Sequence, residues 1–265
     1  MTAIRLSSPR WTPTAPGVAG FGFGKSERCI EAPWAETWLE GRRKILDVGF
    51  ALSDLSWLRT LLGVRAAGAE LTAVDIIAPE RVANRYPDDL REAALSTPVI
   101  HGDVREAPVP AAAFDAVTCI STIEHIGFDS AGSTPESAFA RWRTLEETPT
   151  ERDRQVSRDV VAAFARALKP GGIALISVPM GIGGAVPVRD SLGFYTRQLE
   201  YDAETWRDIA EAPGFRLLEQ RFFTWVGEGE GHWIEAEGPE GLAHQTAWLT
   251  PHAVGVALAA LERLP

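Results

Sequence analysis

Lys44–Asp54 reads KILDVGFALSD. Lys44–Val48 is a short apolar run of strand-forming residues, and Gly49 ends it where the chain must turn tightly. Asp54 is a helix N-cap, and Leu55, Leu58, Leu61 and Leu62 follow it on one helical face. Strand, tight turn and capped helix in immediate succession open a βαβ unit.

The pattern repeats outward from there. Leu71–Val74 reads as a second strand ending at Asp75, and Val99-Ile100 as a third before His101-Gly102-Asp103. Phe114–Ile120 (FDAVTCI) is a fourth. Thr150 opens a helix with Val156, Val160, Val161, Phe164 and Leu168 on its inner face. That helix stops at Lys169-Pro170-Gly171-Gly172, and Ile173–Val178 is a fifth strand. Asp202–Ala210 reads as a helix and Arg216–Phe223 as a sixth strand. The fold class is therefore α/β, with helices around a mainly parallel sheet.

Residues 1–33 are rich in Pro and Gly and read as an irregular N-terminal arm before a domain spanning 34–265. Residues 127–149 are polar, break the rhythm, and read as an insert or lid. Ala19–Ser26 (AGFGFGKS) approaches a phosphate-binding loop, but Ser8–Pro16 ahead of it supplies prolines instead of the strand such a loop requires.

Composition narrows the function. A net charge of −10 disfavours nucleic-acid partners, whose phosphates need clustered Lys and Arg. The one basic run, Arg42-Arg43-Lys44, is a solvated strand entrance. No stretch approaches the ~18–20 apolar residues of a membrane helix. Cys29 and Cys119 show no metal or redox spacing and suit a reducing compartment, so the expected location is the cytoplasm. His101, His125, His232, His244 and His252 show no helical zinc spacing, and no metal is expected.

Three acidic residues, Asp47, Asp75 and Asp103, stand where successive strands end. In an open parallel sheet ligands bind beyond the carboxyl ends, at the switch point in strand order. Gly49 lets the backbone approach a ligand there. Asp75 suits a carboxylate accepting ribose hydroxyl protons, and Asp103 an acceptor for an adenine amino group.

The ordered set Asp47–Asp54, Val74-Asp75, Gly102-Asp103-Val104, Phe114–Val117, Ile123–Ile126 and Leu168–Gly172 resembles class I methyltransferases. Cys119–Gly127 (CISTIEHIG) is similar to members found beside glycosyltransferases in bacterial gene clusters. The resemblance implies S-adenosylmethionine as cofactor and a small-molecule acceptor, of sugar or secondary-metabolite type. It implies cofactor contacts from Asp47, Gly49, Ala51, Ser53, Asp75, Asp103, Val104 and Ile120. It also implies a Rossmann-like three-layer sandwich around a seven-stranded, mostly parallel sheet, with an antiparallel last strand at Ala253–Leu261 inserted to give the order 3-2-1-4-5-7-6, although Ala and Leu favour a helix there.

The chain departs from the family at its first motif, where three alternate glycines are usual and Gly49, Ala51 and Ser53 stand. That departure argues against a nicotinamide dehydrogenase, which needs G-x-G-x-x-G. It also leaves open a non-catalytic, methyltransferase-like scaffold. His125, on the rim after the fourth strand, is the candidate catalytic base, since an ordinary histidine titrates near neutrality (~6.5). Ser121–Glu124 matches a helix capping box, which gives Glu124 a structural role. Trp142, Trp206, Trp225, Trp233 and Trp248 offer either lid packing or a stacking surface for a sugar or flat ring.

Overall fold

The apolar runs form one mixed sheet in a computed structural model that describes residues 27–128, 154–189, 195–226, 232–242 and 253–265. The strands are β1 (Lys44–Val48), β2 (Glu70–Asp75), β3 (Val99–His101), β4 (Phe114–Ile120), β5 (Leu168–Pro179), β8 (Phe215–Val226), β9 (His232–Ala236) and β10 (Gly255–Arg263). Their order is β3-β2-β1-β4-β5-β10-β8-β9. β1 to β5 run parallel, whereas β10 runs antiparallel to both β5 and β8. The expected order holds, and β9 adds an eighth strand at the edge beside β8.

Helices cover both faces. The helices α1 (Arg28–Leu39), α2 (Leu55–Ala66) and α3 (Asp88–Leu95) bury Trp34, Trp57, Leu58 and Leu90 with Ile45 and Leu71 on one face. On the other, α4 (Arg154–Ala167) and α5 (Ala203–Ala210) bury Val160, Phe164, Trp206 and Ile209 against Leu46, Val117 and Ile176. Burial on both sides is why the central strands read as unbroken apolar runs. It also explains why Gly255–Leu261 is a strand despite its helical propensity: all its residues are buried. A Cβ on Gly255 would lie 2.2 Å from the Met180 carbonyl oxygen, so close approach to β5 requires glycine there.

Four details depart from the sequence reading. The irregular arm expected over residues 1–33 gives way at Arg28 to α1, which carries Pro33 within it. Pairing of β5 begins at Leu168, immediately after α4, and Lys169–Gly172 form an irregularity between the Phe114–Leu168 and Ala116–Ile173 pairs. A separate hairpin, β6 (Gly184–Arg189) with β7 (Tyr195–Glu200), follows β5. Glu124 starts no helix: residues 123–128 are turns, and the Ser121 hydroxyl donates to Glu31 of α1 at 2.7 Å instead of capping.

Ala19–Ser26, Trp142, Trp248 and the insert, apart from Gly127 and Phe128, lie outside the described residues. No helix among the described residues is long and apolar enough to cross a membrane.

Candidate functional site

Strand register sets the site. Asp47 pairs with Ala73 of β2 and Thr118 of β4, so two residues further on Gly49, Asp75 and Ile120 reach the same level. Asp75 in turn pairs with His101. The carboxyl ends of four strands thus meet in one row, and β1 and β4 at its centre flank the point where strand order reverses.

The loop after β1 is held from below and behind. The Gly49 N–H donates to the Val74 carbonyl at 3.1 Å and the Ser53 N–H to Phe50 at 3.2 Å. Asp75 accepts the Ala51 N–H at 2.7 Å and the Ile77 N–H at 2.8 Å. Tyr86 donates its hydroxyl to the Ala51 carbonyl at 3.0 Å. Phe50, foreign to such a loop, is fully buried among apolar side chains.

Gly49 has φ +88°, and a Cβ there would lie 2.4 Å from Thr122 Cγ2. Its small size therefore serves the close passage of the β4 rim as well as the turn. Ser53 Oγ donates to the Gly49 carbonyl at 3.1 Å, a role within the loop itself.

Asp47 is fully buried. Its Oδ1 accepts from Thr118 Oγ1 at 2.6 Å and Trp57 Nε1 at 3.1 Å, while Oδ2 has no hydrogen-bond partner among the described residues. Burial pushes its carboxyl up to about 7, against the pull of both hydrogen bonds. Asp103 is bound on both oxygens by the Arg105 guanidinium at 2.8–3.1 Å and also accepts the Arg105 N–H at 2.9 Å. Val104 and Ile120 are buried.

A chain segment matching a family model described as a methyltransferase domain runs from residue 28 to residue 232. The chain belongs to that methyltransferase family.

Among solved structures the methyltransferase is similar to a SAM-dependent methyltransferase from Methanosarcina mazei. The two share 14% identity over 88% of this chain and 98% of that one, with a TM-score of 0.53, a likeness of fold. It is also similar to the 1,6-didemethyltoxoflavin-N1-methyltransferase of Burkholderia thailandensis, solved with bound 1,6-didemethyltoxoflavin and S-adenosylhomocysteine. That pair shares 15% identity over 89% of this chain and 79% of that one, at a TM-score of 0.47. No curated protein sequence matches the chain. Family and fold together make this a class I, S-adenosylmethionine-dependent methyltransferase, an enzyme rather than the alternative scaffold.

The methyltransferase rim continues past β4. His125 is partly exposed, with Nε2 4.0 Å from Oε1 of the buried Glu124. Beside them, α1 brings Arg28 and Glu31, Glu27 stands immediately before it, and Arg28 pairs with both glutamates. Sequence reading missed this group because Pro33, normally disruptive inside a helix, hid the helical spacing of Ile30, Trp34 and Leu39. Among the described residues no three His, Cys, Asp or Glu side chains converge to hold a metal ion. Trp206 packs edge-on against Phe222, and Trp225 against Trp233, so these tryptophans serve the sheet.

Proposed function

We propose that the enzyme methylates a small-molecule acceptor of sugar or secondary-metabolite type, with His125 as its catalytic base. The observation that carries this reading is the row formed by Gly49, Asp75 and Ile120, with His125 a few residues beyond it. The side chains fit the cofactor. Asp47 offers a buried oxygen that has no donor among the described residues, and the Asp75 carboxylate closes β2 one strand away.

In this reading Asp75 accepts the ribose hydroxyls and Asp103 the adenine amino group, with Val104 and Ile120 as apolar walls. Asp47, Gly49, Ala51 and Ser53 face the amino-acid end. S-adenosylmethionine supplies a methyl group made electrophilic by its sulfonium. The protein's task is then to orient the acceptor, exclude water and take up one proton, which falls to His125. The methyltransferase domain begins with α1 and continues to residue 265, with residues 127–149 as its insert. The cytoplasmic placement rests on Cys29 and Cys119, both free thiols suited to a reducing compartment.

Calorimetry with S-adenosylhomocysteine tests the site. Wild type should bind one equivalent, and Asp75→Ala should bind more weakly. Equal affinity in the two would place the ribose elsewhere.

A further inference from the structure

Asp103, the candidate acceptor for the adenine amino group, is gripped by Arg105 of its own loop. The guanidinium Nε lies 3.0 Å from Oδ1 and 3.1 Å from Oδ2, and Nη2 lies 2.8 Å from Oδ2. The Arg105 backbone N–H adds a bond to Oδ1 at 2.9 Å. The loop beneath is fixed as well. The Gly102 N–H donates to the Asp75 carbonyl at 2.9 Å, and the Asp103 carbonyl accepts from Glu106 and Ala107 at 3.0 and 2.7 Å. From α4, Nη2 of Arg166 donates to the Arg105 carbonyl at 3.0 Å.

The pair is largely enclosed, with the Asp103 side chain 10% exposed and that of Arg105 15%. Two parallel N–H donors on a planar guanidinium fix the plane of a carboxylate as well as its place. With the backbone N–H holding Oδ1 from a third direction, the Asp103 carboxylate cannot turn about its last bond. An ionised carboxylate has about four acceptor sites. Among the described residues three N–H groups occupy those of Asp103, the single Nε hydrogen being shared between both oxygens. One further donor can be received, and from one direction.

We propose that Arg105 sets the preference for an adenine-bearing cofactor by holding Asp103 in the one orientation that meets the purine 6-amino group. This rests on the adenine role given to Asp103 in the proposed function and deepens it. A carboxylate that could turn would accept from whichever donor a purine offers, the N1–H of a 6-oxo purine as readily as a 6-amino N–H. A pinned one serves a donor at one place, and a 6-oxo purine sets its carbonyl oxygen against the carboxylate there. Arg105 acts through Asp103, so it is a positioning residue. Lysine cannot take its place, since an ammonium carries the charge without the planar fork.

The test is calorimetric titration of the full chain with S-adenosylhomocysteine and with S-inosylhomocysteine, which differ only at purine C6 and the adjoining N1. Wild type should bind the adenosyl compound at least about tenfold more tightly (~1.4 kcal/mol). Arg105→Met and Arg105→Lys should each cut that preference by about threefold or more. Asp103→Asn, which turns an amide nitrogen towards the guanidinium, should cut it too and serves if the Arg105 variants fold poorly. Equal weakening of both ligands in Arg105→Met would overturn the proposal, because a merely structural or stacking role leaves the ratio unchanged. A wild-type ratio in Arg105→Lys would overturn it as well, since charge alone would then suffice. Lack of preference in wild type would remove the adenine role of Asp103 and the proposal with it. Failure of wild type to bind S-adenosylhomocysteine at all would instead reject the proposed function.

Discussion

Asp75 Oδ2 accepts the Ala51 N–H at 2.7 Å, so the end of β2 holds the loop that follows β1. That carboxylate shapes the loop and, in the proposed reading, also accepts the ribose hydroxyls. Asp75→Ala should lose both contributions. Lost hydrogen bonds to a buried polar ligand cost about 1–3 kcal/mol, which is up to ~100-fold in affinity. Asp75→Asn can accept on one atom only and should fall between. Calorimetric titration of both variants checks the order, and an Asn variant weaker than Ala would contradict it.

His125 is expected to move a proton and to leave cofactor binding alone. His125→Gln should lower turnover by about 100-fold while S-adenosylhomocysteine affinity holds. The deficit should shrink as pH rises, because a less protonated acceptor needs no base. Normal turnover at neutral pH would make His125 a packing residue.

The sheet was legible in the sequence because its strands are buried on both faces and therefore continuously apolar. The segment Phe114–Ile120 was bounded to the residue, and Ala253–Leu261 was placed correctly only by setting topology above propensity. The aspartates at the strand ends were legible for the same reason, since strand ends can be read and ligands gather there. What could not be read depends on contacts between distant segments. Ser121 and Glu124 spell a capping box locally, yet Ser121 finds its partner in Glu31, far back in the chain. Likewise Thr118 and Trp57 meet at Asp47 only once β1, β4 and α2 have assembled.

Gly49→Ala probes the closeness of the β1 and β4 rims. Its φ of +88° costs an L residue roughly 1–2 kcal/mol, and overlap with Thr122 adds about 1–3. In a domain of this size each kcal/mol corresponds to ~2–4 °C in melting temperature. Adding Thr122→Ala should recover the part due to overlap and leave the part due to φ. Full recovery, measured by thermal denaturation, would show that the backbone there is unstrained; no recovery would show that Thr122 yields freely.

Asp47 predicts the direction in which pH acts on the ligand-free protein. Its carboxyl is pushed up to about 7 by burial, whereas in the unfolded chain it titrates near its ordinary value of ~3.9. The folded state therefore binds its proton more tightly than the unfolded state does. The stability this contributes is complete below the unfolded value and is lost as pH rises through the folded one. Glu124 and Glu27, pushed up to about 8 and about 7, act in the same sense. The melting temperature should accordingly fall between pH 5 and pH 8 on this account. Asp47→Asn keeps an acceptor for Thr118 and Trp57 and cannot ionise, so its curve should be flatter over that range. Saturating S-adenosylhomocysteine should flatten the wild-type curve too if its amino group reaches Asp47 Oδ2, because that contact favours the ionised form. A variant curve parallel to wild type from pH 5 to pH 8 would show that Asp47 is ionised throughout and that its buried oxygen is already satisfied.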